Sequence, residues 1–268
     1  MNPKPRSHND YAVGWVCALS KEQTAAIAVL DETHDDLPKP PNDHNTYILG
    51  SIGDHNIVIT CLPEGKIGTS SAATAVVQMV RTFPAIKSGL MVGIGGGIPP
   101  KVRLGDVVVS KPTGQYPGVV QWDSGKAEDG GKFVRTDKSR AINRKPREMK
   151  VHYGLITSGN QVVKDATFRD NLNKDLGGNV LCVEMEAAGL MGNFPCIVIR
   201  GVCDYADSHK NKAWQEHAAA VAAAFAKELL GHVQPSDLEG ERAVKDILNS
   251  ISNDVSSIKD NMTCIGLI

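Results

Sequence analysis

An α/β fold is what this sequence predicts, and three observations carry the prediction. Apolar runs of strand length alternate with stretches of helical spacing, the pattern that builds a sheet with helices packed on it. One run ends in a glycine cluster, GIGGGIPP at 93–100, as strands do where the backbone must approach something closely. The 268 residues, 41% hydrophobic and 22% charged, suffice for one large domain with a sizeable core.

Residues 1–9 are polar and are expected to be disordered. YAVGWVCAL at 11–19 reads as a buried strand, and Ser20 with Gln23 three residues on reads as a capping box opening a helix. Short strands follow near 46–50 and 56–62, then a helix over 69–82 rich in small residues. GLMV before the glycines and GDVVVS at 105–110 are buried strands, and 111–131 is a loop region rich in Gly and Pro. A basic stretch runs from Lys132 to Lys150 with only Asp137 and Glu148 against it. Strands resume at VHYGLITSG and NVLCVEM, a helix is expected over 184–192, and PCIVIRGVCD is a further strand. The alanine-rich KAWQEHAAAVAAAFAKELL is a helix by propensity. The domain is expected to span 10–232, followed by a linker over 233–239. Beyond it Val244, Leu248, Ile251, Val255, Ile258 and Met262 form an apolar seam, which suits either a coiled coil or one amphipathic helix docked on the domain.

The formal net charge of -1 gives no overall attraction to nucleic acid or an anionic membrane, so neither is expected as a partner. No apolar run reaches the roughly 18 residues of a membrane span, and the N-terminus lacks the pattern of a secretory signal. The six cysteines form no C-x-x-C pair and sit mostly in apolar runs, as buried thiols of a reducing compartment do. A soluble, cytoplasmic protein is the expectation.

Several motifs fail. GIGGGIPP lacks the third glycine of a dinucleotide fingerprint and leads into Pro-Pro instead of a helix. There is no phosphate loop and no G-x-S-x-G elbow, and His209 and His217 have no partner at metal-ligand spacing. No cofactor or metal is expected. Three acids share a context instead: Glu22, Glu186 and Asp204 each stand where a buried strand meets a helix or loop. Each alone suits a helix N-terminus or a turn. Together, at the carboxyl edge of one sheet, they suit a ligand site.

The blocks GWVCALSKEQ, GIGGGIPPKVRLGDVVVS, SGNQVVKD, VEMEAAGL and VIRGVCDYAD resemble the nucleoside phosphorylase/nucleosidase family from about residue 10 to 231. They are most similar to its methylthioadenosine/S-adenosylhomocysteine nucleosidase branch and to fungal members found as N-terminal domains of NLR-like immune receptors. The resemblance implies a phosphorylase/hydrolase-like three-layer αβα sandwich around a central mixed β-sheet, with a C-terminal amphipathic helix added. It implies an N-glycosidase acting on a small-molecule purine nucleoside or nucleotide, in a protein that forms homo-oligomers.

It also implies roles. Asp204 protonates the leaving purine, a step general acid catalysis requires because the base otherwise departs as an anion. Glu186 holds the ribose diol, Met185 packs on the sugar, Val162 and Val163 contact the base, Gly95 lets the ligand approach, and Arg200 orients Asp204. Glu22 activates water where the phosphorylase branch carries a phosphate-binding Arg. Two further phosphorylase positions fall on Met91 and Ile94, neither able to hold a dianion. Water is therefore the expected nucleophile. The alternatives are a phosphate-dependent phosphorylase and a non-catalytic domain that senses nucleosides or oligomerises. The nucleosidase branch also carries a Ser at the Ile94 position and aromatic packing near Val162, and the basic 136–150 segment is short where the family has a helix. Lys66, Lys101, Arg103, His209, Lys210 and the 132–150 cluster are candidate cations for a 5′ phosphate such as that of ATP; a solvated basic face is the other reading.

Overall fold

The structure is a computed structural model that describes residues 6–123, 149–191, 194–239, 241 and 243. The basic cluster from 132 to 148 and the apolar seam from 244 onward lie outside the described residues. In chain order the strands are β1 Val13–Cys17, β2 Glu32–Thr33, β3 Tyr47–Ile52, β4 His55–Cys61, β5 Ser88–Gly97, β6 Val107–Ser110, β7 Val119–Gln121, β8 Val151–Ser158, β9 Val180–Glu184 and β10 Cys196–Asp204. The helices are α1 Ser20–Ala28, α2 Thr69–Thr82, α3 Ala166–Asp175, α4 Gln215–His232 and α5 Pro235–Glu239.

The sheet is mixed. β1 lies between parallel neighbours β4 and β5, and all five of its residues are buried, which explains its unbroken apolar run. The path continues β10-β6-β8-β9-β5-β1-β4-β3-β2. β5 also pairs with β10 over most of its length, so five strands close into a ring. Helices cover both faces. α1 and α4 pack on one side over Ile57, Leu90, Val92 and Val107. α2 packs on the other over Val16, Val58 and Met91. This is the expected three-layer arrangement, with a sheet curled at one end.

Four elements differ from the sequence reading. The glycines Gly95, Gly96 and Gly97 do not follow a strand; they are its last three residues and pair with β10 and β9. The helix expected over 184–192 is a single 3-10 turn, Ala187–Gly189, because the Glu184 carboxylate takes the Glu186 and Ala187 amides and turns the chain there. α3 was not expected; Asp165 starts it by accepting from the Thr167 and Phe168 amides at 2.8 and 3.2 Å. The segment expected as a linker at 233–239 contains α5, with Leu238 packed on the core and the Val233 carbonyl bonded to the His55 ring at 2.7 Å.

Candidate functional site

The carboxyl ends of β1, β5, β9 and β10 converge on one cavity of about 210 Å³. Glu22, Gly95, Val162, Val163, Met185 and Glu186, all singled out in the sequence, line it together. Glu184, Ile94, Lys210 and Gln161 complete much of the wall.

Glu22 arrives through the turn from β1 into α1. The predicted capping box is displaced by one residue: Leu19 is the N-cap, and the Glu22 carboxylate reaches back to the Ala18 and Leu19 amides at 2.8 and 3.0 Å. Its other oxygen accepts from the Ile94 amide in β5 at 2.8 Å. Three backbone amides thus fix the side chain, at the seam between two parallel strands. Burial pushes its carboxyl above the usual range, against the pull of Arg200 and those three amides. That shift makes it a better proton acceptor than an exposed glutamate.

Arg200 does not sit where the resemblance implies. It is fully buried beneath the cavity floor, ion-paired to Glu184 and 4.0 Å from Glu186, and Asp204 is not among its ion-pair partners. Burial works against its charge, but Glu184, Glu22 and Glu186 outweigh that and hold the guanidinium above its ordinary value. The physical reason is compensation: buried carboxylates need a buried cation. Gly93 makes room for it, since a Cβ there would run into both the guanidinium and the Glu22 carboxylate.

Glu186 is the least settled of the acids. Burial and the neighbouring Glu184 push its carboxyl up to about 7, with Arg200 opposing and Glu22 adding to the rise. Its Oε1 accepts from the Gly68 amide at 3.3 Å, which ties it to the loop before α2. Asn160 caps α2 from the far side, accepting from the Thr69 amide and hydroxyl at 3.0 Å each.

Asp204 ends β10 and is 5% exposed. Its Oδ1 accepts from the Ala206 amide at 2.8 Å; its Oδ2 takes the Cys203 thiol at 3.2 Å and the Lys210 ammonium at 3.1 Å. Lys210, a candidate phosphate cation in the sequence, is therefore engaged at the opposite task. Lys101 is likewise removed from that list: it holds Asn173 and the Val180 carbonyl at 2.8 and 2.9 Å, tying α3 to β9. The His209 ring is largely exposed, 3.7 Å from Asp207. Met91 is fully buried in the core, whereas Ile94 does line the cavity.

Two features were missed in the sequence. Glu184, the first acid of VEMEA, anchors Arg200 and shapes the turn to Glu186; an acid closing an apolar strand run was the available signal. Trp122 and Phe168 meet edge-on, ring centroids 5.0 Å apart, and line an adjoining hollow with Val162 and Val163. Aromatic packing near Val162 thus exists, from Phe168 in the following helix α3 and from Trp122 at the end of β7, which is remote in sequence.

Among the described residues no group of three His, Cys, Asp or Glu side chains is arranged to hold a metal ion. None of the described helices is long and apolar enough to cross a membrane.

The pattern that defines the phosphorylase superfamily matches residues 12–231. The chain belongs to the phosphorylase superfamily. Among superfamily relatives, a nucleotide-binding leucine-rich repeat (NLR)-like protein of Hyaloscypha variabilis is 43% identical over 88% of this chain, which spans 30% of that protein. The ATP nucleosidase Cap17 of Escherichia coli is 24% identical over 80% of the chain and half of its own length. The 5′-methylthioadenosine/S-adenosylhomocysteine nucleosidase of S. pneumoniae, solved with a transition-state inhibitor, superposes with a TM-score of 0.64 at 21% identity, over 82% of this chain and 98% of that one. This superfamily chain thus shares the nucleosidase fold and covers about a third of the NLR-like relative.

Proposed function

We propose that residues 10–232 form a purine N-glycosidase that uses water to release the free base from a nucleoside or nucleotide. The observation that carries this is Glu22. It is a buried carboxylate fixed by three amides at the cavity wall, with Glu184 and Glu186 beside it. Inorganic phosphate carries nearly two negative charges and meets three acids there, while water needs a base and finds one.

In this reading the sugar lies over Met185 with its diol on Glu186, and the base lies towards Gly95, Val162 and Val163. The bond from C1′ to the base lengthens, positive charge grows on the sugar, and the nearby carboxylates stabilise it. Glu22 takes a proton from the attacking water. Asp204 marks the acid end, where the leaving base is neutralised. Arg200 supports the reaction from below by holding Glu184 and Glu186 in place.

The substrate we favour is an adenine nucleotide such as ATP, as for the ATP nucleosidase relative, in an immune-effector setting suggested by the NLR-like relative. A cytoplasmic homo-oligomer is the matching context. The test is chromatography of the protein incubated with ATP, adenosine and methylthioadenosine in phosphate-free buffer, beside Asp204→Asn. Free adenine from the wild type, with at least a hundredfold less from the variant, is the expected result. Turnover that requires phosphate and yields ribose 1-phosphate would make it a phosphorylase. Binding with no release of base would make it a sensing domain.

A further inference from the structure

The turn after β10 is gripped from two sides. The peptide unit that joins Tyr205 to Ala206 donates its N–H to Asp204 Oδ1 at 2.8 Å, and its carbonyl accepts from Arg169 Nη1 at 2.6 Å. A trans peptide unit is planar, with N–H and carbonyl pointing opposite ways. The unit is therefore a rigid plate, with Arg169 on one edge and the Asp204 carboxyl on the other. Holding the carbonyl sets the direction of the N–H, and with it the plane of the carboxyl.

The plate is held against a backbone preference. Ala206 has φ +52°, the left-handed region that disfavours a residue with a Cβ. Rotating the plate would relieve that angle and carry the amide off Asp204. Packing resists part of the motion: the Ala206 methyl lies in a small core with Ile98, Val163 and Val183, and a Cβ on Gly96 would come within 2.8 Å of it. Arg169 adds a directional hold at the carbonyl.

Arg169 is a buried cation that the reaction above does not use. It stands in α3 and is 3% exposed. Its Nε and Nη2 reach the Asp170 carboxylate at 2.8 and 2.7 Å, on the solvent side, which leaves Nη1 for the Tyr205 carbonyl. Burying a guanidinium is costly unless its donors are met, and a charged donor makes one of the stronger hydrogen bonds. The helix beneath it is itself anchored. Asp165 caps its start, Phe168 lies against Trp122, and Lys101 holds Asn173 in its last turns.

We propose that Arg169 is a positioning residue for the general acid: through the Tyr205–Ala206 peptide it fixes the Asp204 carboxyl in the plane from which it protonates the leaving base. This rests on the hydrolase reading above. Asp204 keeps its role as the proton donor, and Arg169 acts only through it. α3 thereby links the wall at Val163 to the acid end of the cavity.

The test is a double-mutant cycle in the full chain, on whichever of ATP, adenosine and methylthioadenosine the wild type cleaves. Arg169→Met alone should lower kcat about tenfold to a hundredfold, with KM within about threefold of the wild type. In the Asp204→Asn background no acid is left to position, so the same substitution should cost less than about threefold. Adding Ala206→Gly to Arg169→Met should recover most of kcat, because glycine holds a positive φ unaided. Arg169→Gln, which keeps a polar side chain there, takes its place if Arg169→Met does not fold. Where Asp204→Asn leaves no measurable turnover, the glycine rescue decides. Equal loss in both backgrounds, a change in KM alone, or no recovery with glycine overturns the proposal. A wild type inactive on every purine substrate overturns the hydrolase reading itself. An active wild type with an unimpaired Arg169 variant overturns only the arginine's role.

Discussion

Glu186 shows how one residue couples binding to proton concentration. Its carboxyl is pushed up to about 7, above the 4.5 of a free glutamate, by burial and by Glu184. Holding a ribose diol requires the ionised form, which accepts two hydrogen bonds. KM should therefore rise as pH falls through about 7, and Glu186→Gln should remove that dependence; steady-state KM from pH 5.5 to 8.5 checks it. The same shift acts on stability with the opposite sign. The folded state binds the proton more tightly than the unfolded chain, so stability falls as pH rises from about 4.5 to 7. Glu186→Gln should thus add more to the free energy of unfolding at pH 8 than at pH 5, by on the order of 1–2 kcal/mol.

At the scale of elements, β5 decides where the site can form. Gly93 faces the buried Arg200 and Glu22, and no side chain fits between them. Gly93→Ala should cost roughly 1–3 kcal/mol through overpacking and at least tenfold in kcat by displacing Glu22. Thermal melts and turnover of the same preparation check both. This is also where the sequence was hardest to read. β1 and β10 were visible because both faces are buried, which forces unbroken apolar runs. The glycines after GLMV belong to the strand itself, and their missing side chains leave room for ones arriving from β10, β9, α1 and the loop before β6. Glu22 and Glu186 line the cavity and Asp204 ends β10 beside it, at the strand-end places the sequence indicated. Glu184 and Lys210 were not read correctly, because their partners Arg200 and Asp204 lie 16 and 6 residues away and only the fold shows which charges meet.

For the molecule as a whole, the two covering layers differ in how they end. α4 crosses from β10 towards His55, and the chain then turns into α5, which lays Leu238 on the layer of α1 and α4. The domain's stability therefore extends past residue 232. Leu238→Asp should lower the unfolding midpoint by a few degrees, corresponding to about 1 kcal/mol of lost apolar burial, without changing kcat.

The curled sheet has one more consequence. Among the described residues, joining β5 to β10 uses up most of the backbone that a sheet of this size would otherwise leave open. The remaining edges are β2, two exposed residues, the start of β3 that β2 leaves uncovered, and β7, three residues of which only Gln121 is exposed. Each is only two or three residues long, a poor template for a foreign strand. The described residues thus offer other molecules side-chain surfaces far more than open backbone. An edge that short gives cross-β stacking little backbone to start from.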